Sequence, residues 1–156
     1  MTGDNYENII NNPSLEGYKS RDINVLILDD PVDSFWTSST PAYLEKNFKS
    51  VTRGADDLEK IDGEKIDSKE NKSAEPLINL LKEKLKDKVK DVRTSSRLTE
   101  SPVCLVADES SMDPQLEKIL QQHNQLQQGI SLKILELNPD HKLIKKLAKM
   151  SKDKSS

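Results

Sequence analysis

The stretch from residue 54 to residue 75, GADDLEKIDGEKIDSKENKSAE, divides this chain in two and limits each part to a small fold. Charges of both signs alternate there with Gly, Ser and Asn, while Leu58, Ile61 and Ile66 stand isolated among them. Such a run buries too little apolar surface to offset the entropy lost on ordering, so it reads as a charged, solvated linker. The flanking segments are also thin in core material. Hydrophobic residues make up 33% of the 156 and aromatics 4%, against 33% charged. A chain of this composition keeps part of itself solvated or leans on further structure.

Residues 1–53 read as a small α/β piece. Within residues 22–29, Ile23, Val25, Leu26, Ile27 and Leu28 form an apolar, β-branched run with polar ends, the pattern of a buried parallel strand. Ser14, after Asn12 and Pro13, marks a helix start, and Pro31 suits the first position of a turn or short helix that follows the strand. A strand followed by such a helix is a βα unit that wants neighbouring strands, and few are present.

Residues 76–150 read as an incomplete α+β domain, giving a mixed α/β fold class for the whole chain. From Pro76, the residues Leu77, Leu80, Leu81, Leu85, Val89 and Val92 recur at three- and four-residue steps opposite a run of charges, which predicts a helix from Pro76 to about Leu85. The alternation from Val89 to Arg93 fits a strand equally well. The run Val103, Cys104, Leu105, Val106 and Ala107 predicts a buried strand, and Leu132 to Leu137 predicts another. Asp113 followed by Pro114 marks the start of a helix to about Gln122. A last helix follows Asn138, Pro139, Asp140 and His141, with Leu143, Ile144, Leu147 and Met150 together on it. Residues 151–156 form a disordered tail.

Catalytic chemistry is hard to assemble from these residues. Cys104 is the one cysteine, set in an apolar strand where a thiol acts as a small hydrophobe, so neither a disulfide nor a cysteine zinc site is available within the chain. His123 and His141 lie far apart without carboxylates at ligand spacing, and His141 suits a helix lead-in. The five glycines form no phosphate loop. A net charge of -3 gives no nucleic-acid footprint, and the lysines of the last helix, without arginines or aromatics among them, read as a solvated face. Neither a secretory signal nor a run of roughly 20 apolar residues is present, so no membrane partner is expected and the location is cytoplasmic.

Binding surfaces are the better lead. Trp36, the one tryptophan, follows Phe35 in a Pro-, Asp- and Ser-rich setting. A core anchor and a half-exposed contact for a partner are both open from the residues alone. Met112, Leu116, Ile119 and Leu120 form an apolar stripe on a helix read over Met112–Gln122, and periodicity by itself assigns that stripe to core packing.

Taken in order, several motifs resemble the bacterial ninety-kilodalton heat-shock chaperones of the HtpG type. They are Leu15-Glu16-Gly17-Tyr18, Val25-Leu26-Ile27-Leu28, Asp30-Pro31-Val32-Asp33-Ser34-Phe35-Trp36 and Ser50-Val51-Thr52-Arg53-Gly54, followed by the run from Asp87 to Arg93, the run from Arg97 to Asp108 and Leu135-Glu136-Leu137-Asn138-Pro139-Asp140-His141. The resemblance implies that residues 1–53 are the end of a middle domain and residues 76–150 the first part of a C-terminal domain.

In that family unfolded or partly folded client proteins meet a Trp-bearing segment and an amphipathic helix. By that resemblance Trp36 falls on the first and Met112, Leu116, Ile119 and Leu120 on the second, with Phe35 and Ser39 flanking. The family is homodimeric and uses ATP and magnesium, but its nucleotide domain precedes these motifs and its dimer helices follow them. The expectation is therefore a chaperone fragment with no cofactor, no ATP hydrolysis and no tight dimer of its own. The alternatives are an inactive remnant of a split gene, or weak nucleic-acid binding through the lysine-rich end, which ranks last.

Overall fold

The computed structural model describes residues 1–40, 42–53, 58, 68–108, 110–125 and 131–153, and the fold is of the mixed α/β class. Polar side chains start the first elements. Helix α1 (Tyr6–Ile10) begins where the Asn5 side chain accepts the Asn8 N–H at 2.9 Å. Asn12 likewise accepts the Ser14 N–H at 2.9 Å and opens a 3-10 turn (Pro13–Leu15) that passes into α2 (Glu16–Lys19). The helix start expected at Ser14 falls on that turn.

The buried parallel strand expected over residues 22–29 is not formed. What remains of it is a parallel bridge between Thr2 and Leu28, in which Gly3 N–H donates to Leu28 C=O at 3.1 Å and Leu28 N–H to Met1 C=O at 2.9 Å. Val25 and Ile27 pack beside Ile9, Leu15 and Val51, while Leu26 is exposed. A strand needs a neighbouring edge for its backbone groups, and among the described residues only residues 1–3 offer one.

Helix α3 (Asp33–Ser39) follows a turn in which Asp30 accepts the Val32 N–H and Asp33 accepts the Asp30 N–H, each at 3.0 Å, with Pro31 between them. Strands β1 (Ala42–Tyr43) and β2 (Lys46–Asn47) then pair as a short antiparallel hairpin, turned by Leu44 and Glu45 at φ 45° and 63°. Helix α4 (Ser68–Lys84) starts eight residues before the expected Pro76, which lies inside it. A proline without an N–H reads as a helix start in sequence. Here burial of Ala74 and Leu77 on either side carries the helix through it. Leu58, expected as an isolated linker residue, is fully buried. Ile61 and Ile66 lie outside the described residues, as do residues 154–156 of the expected tail, whose first three residues, 151–153, instead end the last helix.

Strands β3 (Asp91–Thr94), β4 (Val103–Val106) and β5 (Ile134–Leu137) form a sheet of order β3-β5-β4, with β5 central, parallel to β3 and antiparallel to β4. Helix α5 (Pro114–Gln122) lies between β4 and β5 in sequence, and α6 (Lys142–Asp153) follows β5. Helices α4 and α6 pack on one another and bury Leu77, Val89, Val92, Leu137, Ile144 and Ala148 between themselves and the sheet. Leu98, Cys104, Val106 and Ile134 make a smaller cluster.

Two burial expectations are corrected. Edge strand β4 is buried on one face only, through Cys104 and Val106, while Val103 and Leu105 are exposed. On α6, of the four residues read together, only Ile144 is buried, beside Ala148 and Ser151, and Leu143, Leu147 and Met150 are exposed. Among the described residues no helix is long and apolar enough to cross a membrane.

The segments before and after residues 54–67 meet along a shared seam. Ala107 N–H donates to Thr52 C=O at 2.9 Å, and the Ser14 hydroxyl lies 3.4 Å from the Cys104 sulfur. The Glu16 carboxylate accepts the backbone N–H groups of Thr99, Glu100 and Ser101 at 2.8, 2.9 and 3.1 Å. A Cβ at Gly17 would fall 2.7 Å from Arg97 Cα, so only glycine allows this approach of α2 to the Arg97 backbone.

Candidate functional site

The segment carrying Trp36 is rigid for its size. Trp36 Nε1–H donates to the Asp33 carboxylate at 2.8 Å, one helical turn earlier, and its ring meets Phe48 edge-on, with centroids 5.5 Å apart and planes at 81°. The hydroxyls of Thr37 and Ser38 each donate to a carbonyl one turn back, at 2.7 Å, which occupies the polar side chains of this Ser/Thr-rich helix locally. Trp36 is half-buried, neighbouring Phe35 is 43% exposed, and Ser39 is exposed with its hydroxyl donating to Phe35 C=O at 3.0 Å.

Helix α5 begins as its sequence predicts. The Asp113 carboxylate accepts the N–H groups of Gln115 and Leu116 at 3.0 and 3.3 Å, with Pro114 at the first helical position, and it also accepts the Thr2 hydroxyl at 3.1 Å. The inward residue is a charged one. Glu117 is 4% exposed, takes the Ser131 N–H at 2.6 Å and pairs with the Lys133 ammonium. Burial pushes the Glu117 carboxyl up, but the bonds from Lys133 and Ser131 outweigh it and hold the group below its ordinary value. Asp4, from the chain's first residues, takes both the Gln115 amide and the Lys118 ammonium.

With Glu117 turned in, the apolar stripe is only partly covered. Met112, expected on the helix, lies before the Asp113 cap and outside α5, where it is 40% exposed, and Leu116, Ile119 and Leu120 are half-buried. None of these four belongs to a core cluster among the described residues. The core-packing reading of the stripe is thereby corrected, because the interior on that side is satisfied by an ion pair. Helices α3 and α5, distant in sequence, touch. The Trp36 segment and the α5 stripe therefore lie on adjoining elements. Beside them opens a cleft of about 770 Å³ bordered by Leu26, Leu28, Thr37, Phe48 and Asp113.

Such a surface offers aromatic and soft aliphatic side chains on rigid supports, which suits contact with apolar stretches of another polypeptide. Cys104 is buried, and burial pushes its thiol up, away from the reactive thiolate. His141 Nδ1 accepts the Leu143 N–H at 3.1 Å and completes the start of α6. Among the described residues no cluster of His, Cys, Asp or Glu could hold a metal ion.

Sequence reasoning passed over Glu117, Arg97 and Glu136. Glu136 did leave a signal: a carboxylate between Leu135 and Leu137 in a central strand must be paired to be buried.

Comparison with known proteins places these observations. The family model described as Hsp90 protein matches residues 1–156. The chaperone protein HtpG of Roseobacter denitrificans is 48% identical over 97% of this chain, that of Paramagnetospirillum magneticum 44% over 95%, and that of Wolbachia pipientis wMel 42% over 96%. The chain spans about a quarter of the length of these curated relatives, 25%, 25% and 24% respectively.

Proposed function

This chain belongs to the Hsp90 protein family, and from that premise we propose that it carries a client-contacting part of an ATP-dependent chaperone. Unfolded or partly folded polypeptides dock on Trp36, Phe35 and Ser39 of α3, on Leu116, Ile119 and Leu120 of α5, and on Met112 just before that helix. The observation that carries this reading is that α5 buries a carboxylate, Glu117, while its apolar residues stay partly exposed and outside the core clusters. A stripe rich in Met and Leu adapts to many sequences, which suits a partner whose common property is exposed apolar surface.

ATP and magnesium are proposed as requirements of the whole chaperone, and homodimerisation as its property, with no nucleotide site assigned within these residues. A cytoplasmic location goes with that reading. The test is binding of an unfolded model client to the chain and to its Met112→Asp and Leu116→Asp variants. Both substitutions weaken binding while leaving the circular dichroism spectrum unchanged; equal binding by variants and parent would reject the assignment.

A further inference from the structure

Two ion pairs, one from the residue before the central strand β5 and one from within it, reach toward different halves of the proposed surface. Lys133, immediately before β5, pairs with buried Glu117 of α5. Glu136, within β5, is fully buried and lies 3.1 Å from the guanidinium of Arg97, itself fully buried. Arg97 then donates through its two terminal nitrogens to Val51 C=O at 2.7 Å and Arg53 C=O at 3.0 Å. Three residues before Val51 stands Phe48, whose ring meets Trp36. From one short segment, Lys133 thus holds α5, and Glu136 holds, through Arg97, the backbone that carries the aromatic neighbour of Trp36.

We infer that β5 is the spacer of the client surface, with Arg97 and Lys133 as positioning residues that fix the gap between α3 and α5. This inference rests on the client-binding reading for its purpose but not for its geometry. The charges suit the task. A planar guanidinium reaches two carbonyls and one carboxylate at once, which a single ammonium does not, so the Trp36 side is held in direction as well as distance. The apolar core formed by α4, α6 and the sheet contains neither side chain, so loosening either pair leaves that core in place.

The test uses Trp36, the one tryptophan, as energy donor and an acceptor dye on Gln122→Cys, an exposed position of α5, in the full chain with Cys104→Ala. Arg97→Lys and Lys133→Gln are each compared with this labelled parent by transfer efficiency, circular dichroism and affinity for an unfolded model client. Both variants change the transfer efficiency at unchanged circular dichroism and weaken client affinity by about fivefold or more. Transfer efficiency equal to the parent's in Lys133→Gln, which removes a peripheral ammonium, overturns the proposal even if Arg97→Lys fails to fold. A changed efficiency with a parent that binds no client supports the spacer and removes the client reading instead.

Discussion

Arg97 Nε lies 3.1 Å from Glu136 Oε2 with both side chains fully buried, a charge pair placed where this fold could have had leucines. The contact is an ion pair without hydrogen-bond alignment, since the Nε–H has no partner of its own. The carboxylate is satisfied elsewhere: Arg93 donates twice to Oε1, at 2.8 and 3.1 Å, and the Ser95 hydroxyl donates to Oε2 at 2.9 Å. Arg97 spends its terminal nitrogens on the carbonyls of residues 51 and 53. The pair therefore belongs to a network in which each charge has several partners, the condition under which buried charges persist.

Arg97→Met removes one side of that network and leaves two carbonyls and part of a carboxylate buried without partners. The expected loss is about 3–5 kcal/mol of unfolding free energy, read from urea titration followed by Trp36 fluorescence. A variant as stable as the parent would show that the network contributes little.

Gly17→Ala tests the seam between α2 and the Arg97 backbone. The new methyl would sit 2.7 Å from Arg97 Cα and 2.9 Å from its carbonyl oxygen, so backbone has to move. A loss of about 1–3 kcal/mol is expected. Ala at neighbouring exposed Ser20 serves as the control with no such cost.

Glu16 gives the seam a pH dependence. Burial alone would raise its carboxyl, but the bonds from Ser101, Glu100 and Thr99 outweigh it and hold the group below its ordinary value. A carboxylate lowered on folding contributes stability above its unfolded pKa of about 4.3 and loses it as pH falls through the folded value. Stability of the parent should therefore decline more steeply below about pH 4.3 than that of Glu16→Gln, which starts lower at pH 7 and has no carboxylate there to titrate. Denaturant midpoints between pH 7 and pH 3 check this, and parallel slopes would refute it.

Asp113→Ala removes the cap of α5 and the acceptor of the Thr2 hydroxyl together. Loss of the cap costs about 1 kcal/mol, and it falls on a helix outside the core clusters. Hydrogen exchange of the α5 amides should accelerate while those of β5 stay protected. Uniform acceleration across both would mean that α5 unfolds only with the whole chain.

Local chemistry was readable wherever a segment carries its own instructions. Asp113 and Pro114 announce α5, and its C-terminus near Gln122 follows. The apolar runs at β4 and β5 mark strands, and His141 marks the start of α6. Reading failed where the outcome depends on what lies opposite. The run over residues 25–28 has strand chemistry but finds only three residues to pair with. Pro76 looks like a helix start and lies inside a helix. On α6 only Ile144 of the four residues read together is buried.

Periodicity in the sequence determined which side chains share a face, such as Leu116, Ile119 and Leu120 on α5. Only the tertiary structure decided which face the rest of the chain covers, placing Glu117 inward with Lys133 and leaving the α5 stripe half open. The reason is that a periodic pattern is a property of one helix, whereas burial of a charge or exposure of a leucine is settled by partners distant in sequence. Arg97, in a run that reads as a polar loop, became the most buried cation of the seam because Glu136 and the carbonyls of Val51 and Arg53 converge on it.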